Sequence, residues 1–226
     1  ACELMDATQR AQFEQELEMN LATSISGYGR FRVNIFMQRN EVGIVARNIV
    51  ADIPSWQSLR LPPILTEVMM RKRGLVLFVG ATGSGKSTSL AALIDYRNSN
   101  SSGHIVTIED PIEYVHNHKK SIINQREVGV DTRSWHNALK NTLRQAPDVI
   151  VVGEMRDPET ADIAVKAAET GHLVISVMPT PDVPTTIERM VAMFQPEERD
   201  IGRVRFSEAL RGIVSQQLLP KPDDEG

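Results

Sequence analysis

"GLVLFVGATGSGKS", residues 74–87, decides the fold. The apolar run Leu75 to Val79 has the length and composition of a strand buried on both faces. It passes directly into Gly80, Gly83 and Gly85, and Lys86 and Ser87 then open a stretch of helix formers that reaches Tyr96. The pattern G-x-x-x-x-G-K-[ST] between a strand and a helix is a phosphate cradle: the glycines let backbone N–H groups wrap phosphate oxygens, and Lys86 reaches the outer phosphates. Ser87 offers its hydroxyl to Mg²⁺. The candidate nucleotide-binding residues are therefore Gly80, Ala81, Thr82, Gly83, Ser84, Gly85, Lys86, Ser87 and Thr88.

Downstream of this stretch, apolar strands alternate with helical segments. The strands are "HIVTIED" (104–110), "DVIVVGE" (148–154) and "HLVISVM" (172–178); helices are expected across "RSWHNALKNTLR" (133–144) and "PETADIAVKAAET" (158–170). Such alternation predicts an α/β fold, a mostly parallel sheet covered by helices on both faces. The last strand must stop near Met178, because Pro179, Pro181 and Pro184 follow and proline donates nothing to a ladder.

Upstream, "IPSWQSLRLPP" (53–63) has prolines and no periodicity, which sets a boundary: a first domain over residues 1–56, a linker over 57–63 and the α/β domain over 64–226. Residues 4–21 carry apolar side chains at loosely helical spacing and predict a first helix. Then "GYGRFRVNIFMQRNEVGIVARNI" (27–49) alternates apolar and polar residues, breaks at "QRNE" and resumes, a β-hairpin carrying Arg30, Arg32 and Arg47. One helix and a hairpin bury little, so the chain is expected to be a fragment.

Composition excludes several classes. With 226 residues, 41% hydrophobic and 24% charged, the chain reads as globular. A net charge of −4 and no basic stripe interleaved with aromatics argue against nucleic acid as a partner. The longest apolar runs fall far short of the roughly 20 residues of a membrane-spanning helix. One cysteine, Cys2, forms neither an internal disulfide nor a zinc site with five scattered histidines, and a reducing cytoplasm is the natural compartment.

Hydrolysis at a phosphate cradle also needs carboxylates at neighbouring strand ends, to hold metal and to orient the attacking water. "VTIEDPIEY" places Glu109 and Asp110 past one strand with Glu113 beyond a proline turn, and "DVIVVGEMRD" places Glu154 past another. Their placement relative to the cradle favours a functional role for Glu113 and Glu154 over solvated loop acids, while Asp157 before "PET" reads equally as a helix cap.

Four separated stretches, "GATGSGKSTSLAALIDY", "TIEDPIEYVH", "NALKNTLRQAPDVIVVGEMRDPETADIAVKAAETGH" and "SEALRGIVSQQLLPK", resemble in order and spacing the type IV pilus retraction ATPases, the twitching-motility branch of the secretion ATPases. The accessory paralogue within that branch is the nearer likeness. The resemblance implies a RecA-like P-loop motor domain preceded by part of a PAS-like domain. It implies ATP with Mg²⁺, Lys86 and Ser87 in the cradle, Glu113 as catalytic base, and Glu154 holding Mg²⁺ through water. Arg30, Arg32 and Arg47 would face the nucleotide, a role that composition alone does not separate from a solvated hairpin face. It implies further a homo-hexamer or a mixed ring with a paralogous retraction ATPase. The ring would engage an inner-membrane pilus platform protein from the cytoplasmic side.

Two departures from the family pattern stand out. The chain is expected to begin part-way through the first domain and to stop before the family's helical tail. The family's strand after "TGHLV" ends in a histidine that senses the γ-phosphate, and here that place is Pro179, followed by Thr180. His172 matches the first histidine of the box, or is a packed residue after a helix end. Proline donates no hydrogen bond to phosphate, so binding is expected to survive while hydrolysis or its coupling is weakened.

Overall fold

The computed structural model describes residues 2–49 and 52–219, apart from the side chains of Cys2 and Arg30. The chain forms two compact units, one from the residues up to Asp52 together with Pro111–Val115, the other from Ile53–Asp110 and the residues from His116 onward.

In the first unit, helix α1 (Ala7–Glu16) starts at a capping box: Asp6 accepts from the Gln9 N–H at 2.8 Å and the Gln9 side chain accepts from the Asp6 N–H at 2.9 Å. The helix is shorter than its spacing predicts. It ends at Leu17, which turns left-handed at φ 59°, and the next residues form strand β1 (Glu18–Ile25). The reason is a change of period: Met19 and Leu21 lie two apart and both bury, which a strand face does and a helix face does not. Strands β2 (Gly29–Gln38) and β3 (Glu41–Ile49) are the expected hairpin, turning at Arg39 and Asn40 with φ of 48° and 63°. The three strands pair antiparallel in the order β1-β2-β3, and one face buries Met19, Leu21, Val33 and Ile35 against Met5 and Phe13. The alternation of β2 puts Arg32 on the opposite face, directly across from Arg47.

The second unit contains strands β4 (Gly74–Val79), β5 (Gly103–Glu109), β6 (Ser121–Glu127), β7 (Val149–Val152), β8 (Leu173–Met178) and β9 (Leu210–Ser215). They form one sheet in the order β6-β5-β7-β8-β4-β9 with every pairing parallel. Its helices are α2 (Ile64–Met69), α3 (Lys86–Asn100), α4 (Trp135–Thr142), α5 (Pro158–Glu169), α6 (Val183–Ala192) and α7 (Arg199–Ala209). β4 shows why both faces need cover. Leu75, Leu77 and Val79 pack among residues of α4, α5 and α7, while Val76 and Phe78 pack with Met69, Leu90 and Leu93 of α2 and α3. This is the expected α/β fold.

Some elements carry no expectation from the sequence. β6, α6, α7 and β9 were not anticipated; "SIINQRE" has one buried apolar side chain, Ile123, and polar residues at the rest of its buried positions. Within residues 53–63, Trp56 and Leu61 pack on the core shared by β4 and α3, and Trp56 meets Tyr96 edge-on at 6.1 Å between centroids. Buried Arg97 of α3 donates to the carbonyls of Met69 and Arg71, which fastens the end of α2. β8 stops at Met178, as the prolines require.

His116 is a buried imidazole whose Nδ1 has no partner among the described residues, and burial pushes its pKa down to about 4. Because the unfolded chain takes up this proton near pH 6.5 and the folded one only near 4, folding stability falls as the pH is lowered through that window. His116→Leu removes the titration. Chemical denaturation at a series of pH values should show the variant gaining on the parent by up to about 1.4 kcal/mol per pH unit between 6.5 and 4. A constant offset across that range contradicts the assignment.

Candidate functional site

The phosphate loop leaves the carboxyl end of β4 and is held by the chain ends that follow the strands on either side. Gly80 has φ 140°, and its N–H donates to the Thr180 carbonyl at 2.8 Å, just past β8. On the other side, past β9, the Gln216 N–H donates to the Val79 carbonyl at 2.9 Å. A β-carbon on Gly80 would collide with the Gln216 carbonyl oxygen and come within 2.9 Å of Ser84 Oγ. Gly83 and Gly85 also have positive φ, 81° and 87°, which backbone N–H groups need in order to converge on one point.

Gly85 caps α3 without a side-chain hydrogen bond, so the first N–H groups of a 15-residue helix face the loop with their partial positive charge. The Lys86 ammonium curls over the loop and donates to the carbonyls of Gly80 at 3.0 Å and Ala81 at 2.6 Å. Ala81, Thr82 and Gly83 are exposed, Ser84 is buried, and Gly85, Lys86, Ser87 and Thr88 are half-buried. Donors, dipole and cation converge on one small region, an arrangement that binds polyphosphate.

Glu154 lies past β7, on the carboxyl edge of the sheet that also carries the loop, with β8 between β7 and β4. It is half-buried and paired with Arg156 at 2.5 Å, and this hydrogen bond raises the guanidinium pKa further. Asp157 accepts from the Thr160 N–H at 2.8 Å, as a cap of α5. Glu109 ends β5 and accepts from Thr107 Oγ1 at 2.6 Å and from Gln125 at 3.1 Å.

Glu113 belongs to the first unit. There it lines an open cavity of about 230 Å³ with Arg32, Arg47, Asn48 and Tyr114. Like charges directly opposite on one sheet face are unfavourable without an anion, yet Arg32 and Arg47 have no ion pair among the described residues. Two guanidinium groups at one cavity suit an anionic ligand. The Arg30 side chain lies outside the described residues.

His172 is not brought to the loop. It precedes β8, whose first residue pairs with Gly74, so the length of the strand, about 20 Å, separates it from the loop end. Its Nδ1 sits 3.0 Å from the Ala167 carbonyl at the close of α5. Pro179 does reach the loop end, with its ring exposed, and the next residue, Thr180, is buried with its hydroxyl 2.6 Å from that of Thr186. Sequence reasoning missed Thr180 and Gln216 as contacts of the loop. For Thr180 the available signal was its position just past the strand expected over 172–178; for Gln216 there was none, because β9 carries no expectation from the sequence.

A parallel sheet that delivers a glycine loop and a lysine onto a helix N-terminus defines a P-loop nucleotide-binding protein of RecA-like architecture. Residues 57–225 match the type II/IV secretion system protein family, and the chain belongs to it. It is 52% identical over 99% of its length to the type IV pilus ATPase PilU of Pseudomonas aeruginosa, covering 58% of that protein. It is 46% identical over 97% of its length to the type IV pilus retraction ATPase PilT of the same organism, covering 64%. A crystal structure of the pilus retraction motor PilT with bound ADP superposes with a TM-score of 0.94 at 49% identity, over 97% of this chain and 64% of that one. The Legionella pneumophila ATPase DotB superposes with a TM-score of 0.88 at 30% identity, over 99% of this chain and 64% of that one. The chain thus spans about three fifths of the length of these relatives.

The loop geometry separates two glycine substitutions. Gly80→Ala meets backbone oxygen, whereas Gly83→Ala has open space and only its positive φ to overcome. A fluorescent ADP analogue should bind Gly80→Ala roughly tenfold or more weakly than the parent, with Gly83→Ala between the two. Equal losses contradict the role given to the Gln216 carbonyl.

Proposed function

We propose that this chain is the ATP-hydrolysing part of a type IV pilus retraction motor, working in a ring as a homo-hexamer or together with a paralogous retraction ATPase. The observation that carries the reading is the loop Gly80–Thr88 closing β4 onto α3, in a chain whose relatives are named as pilus ATPases. The pilus platform at the inner membrane is the partner in this reading. No helix among the described residues is long and apolar enough to cross a membrane.

In this reading the loop amides and the α3 N-terminus take the β- and γ-phosphates. Lys86 exchanges its two carbonyl acceptors for phosphate oxygens, so an ammonium–anion pair replaces bonds to neutral acceptors. The donor set near the loop, a serine hydroxyl and a carboxylate, is hard oxygen and fits Mg²⁺. Ser87 would hold the ion directly and Glu154 through water, and the ion would supply charge neutralisation between the phosphates. Glu154 must then loosen its pair with Arg156. Glu113 acts as the base that orients and deprotonates the attacking water. Arg32 and Arg47, with Arg30, supply positive charge as it develops on the phosphoryl oxygens. The arginines and Glu113 lie in the first unit and the cradle in the second.

One observation favours a second reading, an accessory nucleotide-binding subunit that turns over little ATP: Pro179, beside the carbonyl that binds Gly80, offers no donor to a γ-phosphate. Steady-state phosphate release separates the two. The motor reading expects turnover by the parent and a loss of about 100-fold or more in Lys86→Ala and Glu113→Gln, since cradle and base contribute at that scale. An inert parent that still binds ATP, with turnover restored by Pro179→His, establishes the accessory reading instead.

A further inference from the structure

Gln216 touches the phosphate loop at both of its ends. Its N–H is bonded to Val79, the last residue of β4, at 2.9 Å. Its carbonyl occupies the space where Gly80 would carry a β-carbon. Its carboxamide lies against Gly85, so that a β-carbon there would come within 2.8 Å of Nε2. Gly80 opens the loop and Gly85 caps α3, so one residue abuts the first glycine and the last. The side chain is half-buried, and its amide makes no hydrogen bond among the described residues, which leaves contact with Gly85 as its local role.

The position of Gln216 is itself fixed. β9 pairs with β4 in parallel as far as Ser215 opposite Val79, so the residue after Ser215 emerges level with the residue after Val79. The opposite flank is symmetrical in effect: β8 pairs with β4 up to Met178, and the Thr180 carbonyl takes the Gly80 N–H. A loop rich in glycine has many conformations to lose on binding phosphate, and walls on both flanks remove them in advance.

We propose that Gln216 is a positioning residue of the phosphate loop, its side chain bracing Gly85 and its carbonyl seating Gly80, so that the phosphate-binding amides are preorganised from the edge strand β9. The inference rests on the reading of this loop as the nucleotide site, and its ligand is the polyphosphate of a nucleoside di- or triphosphate.

The test uses the full chain with Mg-ADP and Mg-ATP. Gln216→Ala removes the brace and keeps the backbone contacts; Gln216→Met restores a side chain of the same length without the amide. The expected result is a fall in ADP affinity and a rise in KM for ATP of about fivefold in Gln216→Ala, with kcat within about twofold and near-parental values in Gln216→Met. The increase in melting temperature on adding ADP should shrink in Gln216→Ala and recover in Gln216→Met, a readout that a loss of stability unrelated to the loop does not move. An alanine variant with parental affinity and ADP-induced stabilisation overturns the proposal. So does failure of methionine to restore them, which would instead assign the amide a polar contact with the nucleotide. If the parent itself binds no ADP and Lys86→Ala changes nothing, the loop is not the nucleotide site and the underlying reading fails with it.

Discussion

Everything at the cradle depends on Gly80 being held between two backbone carbonyls. The Thr180 carbonyl receives its N–H, and the Gln216 carbonyl fills the side where any other residue would have its β-carbon. Neither contact exists without the order β8-β4-β9, because only parallel neighbours bring three strand ends to the same edge at the same height. The burial of β4 on both faces is thus the means by which the loop is aimed. A sheet shifted by one residue would turn Val76 and Phe78 into the wrong core and displace both carbonyls from Gly80.

The first unit presents an electrostatic problem of its own. Arg32 and Arg47 face each other across a sheet, and the Pro111–Val115 segment brings Glu113 to their cavity although it follows β5 of the other unit in sequence. The helix and the buried face of the sheet, with Val33 and Ile35 at its centre, hold this arrangement in place, so the cost of the arginine pair is borne by packing. An anionic ligand would relieve the repulsion between the two arginines, which is why the proposed function gives the first unit a part in the chemistry.

How much of this was legible follows from what each signal depends on. β4, its loop and α3 were legible because a buried parallel strand is continuously apolar and the glycine–lysine spacing has one structural use. The end of β8 at Met178 was legible from proline chemistry alone, and the cap at Asp157 from the proline after it. The helix expected over residues 4–21 takes in the first four residues of β1 because Glu18, Met19 and Leu21 have helical propensity, and only the pairing with β2 reveals the two-residue period of Met19 and Leu21. β6 was missed because it is an edge strand with one apolar residue buried. The carbonyl contacts of Thr180 and Gln216 with Gly80, and the contact of the Gln216 side chain with Gly85, were out of reach, since the register between distant strands determines them. The same holds for the presence of Glu113 beside the arginines.

Hydrogen exchange of the chain with and without Mg-ADP tests the central claim most directly, that phosphate is bound by a loop held between two strand ends. The account predicts slowed exchange at the amides of Gly83 to Thr88 and at Gln216, and no such change in a Lys86→Ala chain. Unchanged exchange in the loop, with protection appearing elsewhere in the molecule, would contradict it.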